Sequence, residues 1–409
     1  MHLYERGYQL GMGIGMKLLP SSRQEVLRGS GAITQVPKLL TDRGLSRPLI
    51  VTGPRVSRTD FFQRLERALS EAGCAHCVFC EVEPDPGTDL VQRVVKAYRA
   101  GDCDSFIALG GGSNMDAAKA GGALLARPGK TLQQLSGVMK VRRKTPFMVA
   151  IPTTAGTGSE CTVAAVVTDS KTHRKFAIND PCLCPDAAVL DSDLTADIPP
   201  AIVAATGMDA LTHAVEAWLN RPYHKRATAG QCAAAAHDIM MYLPFVYEGG
   251  AGSSGGRARQ KMLEASYLAG QAFTVACVGN VHAIAHTLGG LYHIPHGQAN
   301  AVLLPEVLED YGKAARRPLA KLVRTAGIER LLDGGGQGSD QALAEAFIAR
   351  IRQMNREMGI PEGFPQIREE DLDLMAAWAT KEANPLYPVP VIYDRGDVKR
   401  ILRRVRKSI

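Results

Sequence analysis

The sequence predicts a two-part protein: an α/β N-terminal domain over residues 1–200, followed by an all-α C-terminal domain over residues 201–409. Before residue 200, short β-branched runs alternate with helix-period segments, the pattern of a parallel sheet with crossover helices. After Ala201, apolar residues recur at helical spacing and strand-like runs almost vanish. A glycine-rich turn joins a strand-like run to a helix-like one only in the first half. The glycine stretches of the second half, Gly249–Gly256 and Gly334–Ser339, have no strand before them and read as flexible surface loops.

With 409 residues, 45% hydrophobic and 22% charged, the chain can bury a large core, which excludes a disordered protein. The formal charge of +7 is spread out, and its densest cluster, Lys399–Lys407 (KRILRRVRK), sets Ile401, Leu402 and Val405 on one side. That is a solvated basic final helix, with no recognition motif to make it a nucleic-acid surface. Leu10–Leu19 is apolar and glycine-rich, but Lys17 interrupts it and it is too short to span a bilayer. A soluble cytoplasmic protein with no membrane partner is expected. The nine cysteines suit reduced thiols. Cys74, Cys77 and Cys80 form a CxxCxxC run without a fourth ligand, and their apolar neighbours Val78 and Phe79 favour a strand.

In chain order, Glu25–Lys38 ends in a short helix signal, and Pro48–Thr52 (PLIVT) is a buried strand bounded by turn residues. Asp60–Ala72 is helical, Ala75–Glu81 a second strand, Pro84–Gly87 a turn and Asp89–Ala100 a helix. Ser105–Leu109 (SFIAL) is a strand running into Gly110–Asp116 (GGGSNMD) and then the small-residue helix Ala117–Ala126. Such a turn serves either as a sharp structural bend or as a phosphate cradle, with backbone N–H groups and a helix dipole facing the ligand. Its spacing is not GxGxxG, so it is not the usual dinucleotide fingerprint. Phe147–Ile151 is another strand, emptying into Pro152–Thr162 (PTTAGTGSECT), whose hydroxyls and glycines can approach and hydrogen-bond a ribose or an amide. Asn384–Pro390 (NPLYPVP) is too proline-rich for a helix and is expected to run extended over the surface.

The second half concentrates histidine. Gly279–Pro305 contains His282, His286, His293 and His296, and His282 and His286, four apart, project from one helical face. Pro295 precedes His296 and Gly297, so the chain turns there and can aim His296 back at the same point. In Gly207–Trp218 (GMDALTHAVEAW), Asp209 and His213 are also four apart on an apolar helix. Two such pairs can supply one carboxylate and three imidazoles to a divalent ion and leave a position open for substrate.

GMDALTHAVEAW, VHAIAHTLGG and PHGQANAVLLP resemble the metal-site signatures of the iron-containing (group III) alcohol dehydrogenases, in the dehydroquinate synthase-like superfamily. GGGSNMD and PTTAGTGSE resemble the cofactor elements of the same family. The resemblance spans essentially the whole chain. It implies an N-terminal, Rossmann-like dinucleotide-binding domain, a helical metal-binding domain and an active site in the cleft between them. It implies Asp209, His213, His282 and His296 as metal ligands and His286 as a non-ligating group beside substrate and nicotinamide. It further implies Gly111, Gly112 and Ser113 at the cofactor pyrophosphate, Thr153, Thr154 and Thr157 on the cofactor, Lys175 near its ribose and Asp85 in a cofactor-side loop.

By that resemblance the protein is a metal-dependent alcohol dehydrogenase or aldehyde reductase, moving hydride between NAD(P)(H) and a small alcohol or aldehyde. Iron(II) is the family expectation, with zinc(II) compatible with the donors, and a homo-oligomer is common in the family. Many NAD-using members carry an acid just after the first strand. Here Gly53 stands there, with Arg55 two residues on, which removes repulsion of a 2′-phosphate and suggests that NADP(H) is accepted. The alternatives are a metal- and NAD-dependent lyase on the same fold and a non-catalytic binding protein. The first lacks basic residues near His282–His296, and the intact ligand set argues against the second.

Overall fold

The computed structural model describes residues 2–18, 24–172, 175–250, 252–332 and 338–407. The N-terminal part runs α1 (Leu3–Leu18), β1 (Glu25–Arg28), α2 (Val36–Thr41), β2 (Pro48–Val51), α3 (Asp60–Glu71), β3 (Cys77–Phe79), α4 (Thr88–Ala100), β4 (Ser105–Gly110) and α5 (Gly112–Ala126). It continues through α6 (Leu132–Leu135), β5 (Gly137–Val138), β6 (Phe147–Pro152), β7 (Ala164–Thr168), β8 (Lys175–Asn179) and β9 (Ala187–Leu190). Helices follow: α7 (Pro200–Leu219), α8 (Thr228–Tyr247), α9 (Gly252–Ala276), α10 (Asn280–Tyr292), α11 (His296–Asp310), α12 (Lys313–Ala326), α13 (Asp340–Glu357), α14 (Leu372–Ala383) and α15 (Arg395–Val405). Contacts divide the chain into two compact units, Ser21–Asp197 and Met1–Pro20 with Ile198–Ile409.

In the Ser21–Asp197 unit, six parallel strands lie in the order β1-β9-β6-β4-β2-β3. Strands β2, β4 and β9 are buried along their whole length, which is why they read as unbroken apolar runs rather than alternating ones. One face carries α3, whose Phe62, Leu65 and Leu69 pack with Ile33, Val36 and Leu40 against Ile50 and Ile107. The other face carries α4 and α5, whose Val94, Met115 and Ala118 meet Val51, Phe106 and Ala108. The chain reverses direction across the sheet between β2 and β4, and the crevice beyond the carboxyl ends at such a point is where open α/β sheets bind ligands. A second sheet, β5-β8-β7, stands beside α5 and α6.

Several expectations for this unit change. Strands β1, β5, β7, β8 and β9 have two to five residues each and too little pattern to be anticipated. The second strand covers only Cys77–Phe79, and helix α5 begins at Gly112, so Ser113–Asp116 are already helical. Cys74 is buried and Cys80 exposed, and among the described residues the three thiols of the CxxCxxC run do not converge.

The helical unit is organised on α7. From Gly207 to Leu219 every residue is buried, the mark of a helix surrounded by others. A Cβ on Gly207 would lie 2.3 Å from Leu243 Cδ1, so α8 closes on α7 only because that position is glycine. Two expectations are corrected here, and a third falls mostly outside the described residues. Residues 252–256, read as a loop, form the first turns of α9. The long helix-favouring stretch behind them outweighs glycine's poor propensity, and a Cβ on Gly255 would fall 1.8 Å from Gly250 O. Of the second glycine stretch, residues 334–337 lie outside the described residues, while Ser339 caps α13 through the Ala342 N–H.

The second correction is Asn384–Pro390, which is not superficial and turns at 384–386 before running irregularly to Pro390. Val389 is buried, and Gln9 of α1 donates to the Pro385 and Tyr387 carbonyls, Arg6 to those of Val389 and Pro390, and Tyr223 to that of Leu386. Prolines leave their neighbours' carbonyls without helical partners, and α1 supplies the donors. Helix α15 is amphipathic as expected, with Val398, Ile401, Leu402 and Val405 buried. Its cations face Asp310, Glu369 and Asp373. No single helix among the described residues is long and apolar enough to cross a membrane.

Candidate metal centre and nucleotide cradle

Helix α7 presents Asp209, His213 and Glu216 on one face, at positions i, i+4 and i+7. Helix α10 presents His282 and His286 one turn apart, and it ends at His293, whose left-handed backbone (φ 54°) stops the helix. Pro295 then starts α11, with His296 at its first position. A Cβ on the next residue, Gly297, would lie 2.3 Å from Ala205 O of α7, so glycine there lets α11 begin hard against α7. The spacing read in the sequence is thereby turned into convergence.

One donor atom each from Asp209, His282 and His296 lies within 4.8 Å of the others. Asp209 Oδ1 is 3.5 Å from His296 Nε2 and 3.7 Å from His282 Nε2. His213 does not join that set. Its ring stacks on His282 at 4.5 Å and on Phe273 at 4.1 Å. His286 stacks on His296 at 5.2 Å, and its Nδ1 is 2.7 Å from Glu382 Oε1, which also accepts from Tyr387 OH at 3.0 Å. His293 stands apart as a helix stop.

Three residues at the site had not been singled out. Glu216 and Asn300 carry a positional signal, seven residues from Asp209 and four from His296 on the same helices. Glu382 carries none, because α14 reaches the site from far along the chain. Asn300 Nδ2 donates to Asp209 Oδ1 at 2.7 Å and lies 3.1 Å from both His282 Nε2 and His296 Nε2.

The charges are consistent with a cation site. Burial works to raise the Asp209 carboxyl, but His213, His296 and His282 outweigh it and hold the group well below the usual carboxylate range. Burial works to lower His282, but the neighbouring carboxylates of Asp209 and Glu216 outweigh it and push it up to about 9. His296 is driven well below the usual imidazole range, by burial above all. Asn300 Oδ1 is a buried acceptor with no hydrogen-bond partner among the described residues, a further sign of an electropositive ligand. One carboxylate and imidazole nitrogens from three helices fit a divalent first-row ion.

The other predicted residues lie in the sheet unit. Gly53 follows β2, and a Cβ there would be 2.8 Å from Val82 O. Gly110 (φ 144°), Gly111 and Gly112 carry β4 into α5, with Thr154 and Thr157 beside them. A Cβ on Gly112 would meet Thr157 Cγ2 at 3.1 Å, and one on Gly111 would meet Thr154 Oγ1 at 3.7 Å. The Thr153 N–H donates to Gly110 O at 3.0 Å. Ser113 Oγ accepts from the Asp85 N–H at 3.3 Å, and Lys175 Nζ pairs with Asp85 Oδ1 at 2.6 Å. These contacts gather the candidates near the carboxyl ends of β2, β4 and β6, with the half-buried N-terminus of α5 among them.

Residues 23–192 match the family model described as iron-containing alcohol dehydrogenase, and residues 203–406 match that of the Fe-containing alcohol dehydrogenase family, C-terminal. The NAD-dependent methanol dehydrogenase of Bacillus methanolicus is 35% identical over 351 residues, 85% of this chain and 89% of that one. The NADPH-dependent butanol dehydrogenase of Clostridium saccharobutylicum is 35% identical over 341 residues, 83% and 84% of the two chains. The solved structure of a 1,3-propanediol oxidoreductase superposes with a TM-score of 0.87 at 33% identity, covering 94% of this chain and 98% of the other.

The chain belongs to the iron-containing alcohol dehydrogenase family. It is an NAD(P)-dependent alcohol dehydrogenase of that type.

Proposed function

We propose that the protein interconverts a short primary alcohol and its aldehyde, with Asp209, His213, His282 and His296 holding one divalent ion, Fe(II) or Zn(II). The observation that carries this reading is the convergence of one carboxylate oxygen and two imidazole nitrogens from α7, α10 and α11. His213, one turn from Asp209 and stacked on His282, is the fourth donor by its place. When bound, the ion supplies Lewis acidity, lowering the pKa of an alcohol hydroxyl and polarising a carbonyl. His286 is the group that moves the proton. Its side chain is 36% exposed, so it reaches water, and Glu382 at Nδ1 leaves Nε2 to serve substrate.

In the sheet unit, backbone N–H groups of Gly111, Gly112 and Ser113 at the α5 N-terminus hold the cofactor pyrophosphate. Thr153, Thr154 and Thr157 contact the cofactor, with Lys175 near its ribose and Asp85 in the loop beside it. The two relatives named above differ in nicotinamide cofactor, so family membership leaves the choice to this chain's own residues. Gly53 offers no carboxylate to repel a 2′-phosphate, and a Cβ there would begin 2.8 Å from Val82 O. NADP(H) is accepted, with exposed Arg55 placed to pair with it. A homo-oligomer located in the cytoplasm completes the reading.

The test is oxidation of NADPH and NADH with a panel of short aldehydes, using protein loaded separately with Fe(II) and Zn(II), beside a His282→Ala control. Metal-dependent turnover that the control loses is expected, with NADPH used at least as efficiently as NADH. A large preference for NADH would refute the cofactor reading, and silence across the panel with both metals would refute the substrate class.

A further inference from the structure

Glu216 is buried, with 3% of its side chain exposed, and all its polar contacts go to one place. Oε2 accepts the Gly279 N–H at 2.7 Å and lies 2.6 Å from His282 Nδ1. Oε1 accepts the Val281 N–H at 2.7 Å. These donors are the cap, a first-turn amide and a side chain of α10, and Gly279 has no side chain to cap that helix itself. The carboxylate of α7 therefore performs the capping from another helix, where an anion is favoured. A Cβ on Gly279 would fall 2.6 Å from Glu216 Oε1 and 3.0 Å from its Cδ, so only glycine admits the contact.

The same carboxylate decides which face of His282 is free. In the neutral ring that binds an ion, donation to Glu216 puts the proton on Nδ1 and leaves the lone pair on Nε2, the atom that faces Asp209 Oδ1. Both oxygens of Glu216 are occupied with α10, which separates it from the donors themselves. We propose that Glu216 is a positioning residue: it locks α10 in register with α7 and fixes His282 in the tautomer and rotation that bind the metal. The proposal rests on the metal reading of the site. It assigns the ion's affinity to a residue outside the ligand set, as partners of ligating histidines generally act.

The experiment is competition titration of Co(II) against a chromophoric chelator on the full chain, comparing wild type, Glu216→Gln and Glu216→Asp, with kcat at saturating Co(II) as a second readout. Glu216→Gln keeps shape and removes charge. The expected result is a Co(II) affinity about 10- to 100-fold weaker, partial recovery in Glu216→Asp, and a kcat that changes far less than the affinity. Wild-type affinity in Glu216→Gln, even with a lowered melting temperature, would overturn the proposal and leave Glu216 as a helix cap only. If Glu216→Gln does not fold, Gly279→Ala decides, because its Cβ displaces the carboxylate without removing it. Weakened Co(II) binding there supports the proposal, and unchanged binding overturns it. Wild-type protein that takes up no Co(II) would instead refute the reading of the site itself, and the proposal with it.

Discussion

Lys119 offers the sharpest test of how the threonine loop is held. It lies on α5 with no exposed surface, and its ammonium donates to the carbonyls of Ser159 (2.6 Å), Thr162 (3.0 Å) and Ala164 (3.0 Å) and to the hydroxyls of Ser159 (3.1 Å) and Thr162 (2.9 Å). These acceptors belong to the segment that leaves the threonine loop and enters β7. Replacing Lys119 by Met fills the same volume and takes this donor from the Thr162 and Ala164 carbonyls, while Ser159 O keeps the Thr162 N–H; a carbonyl left unpaired costs about 1–3 kcal/mol. Relief of the lysine's own desolvation offsets part of this, so a net loss of about 3–5 kcal/mol is expected, as when one partner of a buried ionic contact is removed. For a unit of this size that is a fall in melting temperature on the order of 10 °C. The assays are differential scanning calorimetry and titration of nicotinamide fluorescence, where cofactor affinity should fall as the loop loosens. A melting temperature within about 2 °C of wild type, with unchanged cofactor affinity, would refute the idea that this ammonium organises the loop.

Other predictions follow from single groups. Burial pushes the Glu160 carboxyl up to about 7 from an ordinary 4.5, and burial likewise raises Asp116 to about 6. Because the folded state binds these protons more tightly, their stabilisation is full below about pH 4 and is lost as pH climbs through 6 to 7, amounting to on the order of 3 kcal/mol for Glu160. Glu160→Gln should flatten the melting temperature against pH over that window, and an unaltered slope would count against the assignment. His286→Ala should lower kcat by roughly 100-fold while Co(II) still binds at wild-type stoichiometry, and loss of the ion would show His286 to be a ligand instead. Gly53→Asp should lower kcat/KM for NADPH by at least about 10-fold through repulsion of the 2′-phosphate, equivalent to some 1.4 kcal/mol. Equal losses for NADH and NADPH would point to the collision with Val82 O rather than to charge.

What could be read from the sequence was whatever depends on neighbours a few residues apart. Asp209 with His213, and His282 with His286, are helical i, i+4 pairs, and the strand–glycine–helix junction at Gly110–Gly112 is a local pattern too. Strands β7 to β9 escaped because strands of four or five residues contain barely two periods of alternation. Helix α1 escaped because Gly7, Gly11, Gly13 and Gly15 lower its intrinsic helicity, while the partners of Arg6 and Gln9 lie near residue 390. The same distance hid Glu382, which meets His286 across 96 residues. His213 shows the limit of spacing even within one helix. Its backbone position is the one expected, and its ring is held between His282 and Phe273, a residue of α9 that no local pattern connects to it.

Glu216 and Lys119 show why such supports are hard to read and easy to break. Each is a buried charge from one helix that meets mainly backbone N–H groups or carbonyls of another segment, and backbone groups have no side-chain signature. A mutual side-chain ion pair would have left two complementary residues to notice. Burying a charge among backbone dipoles meets its need for hydrogen bonds without a second charge, and it ties the position of a whole segment to one side chain. The functional groups are thus held by elements rather than by single contacts: His282 by the start of α10, the threonine loop by the entry to β7. Substitutions at Glu216 or Lys119 should therefore disturb several site residues together and non-additively. Pairing Glu216→Gln with His282→Ala should show it, the double variant binding Co(II) no more weakly than His282→Ala alone.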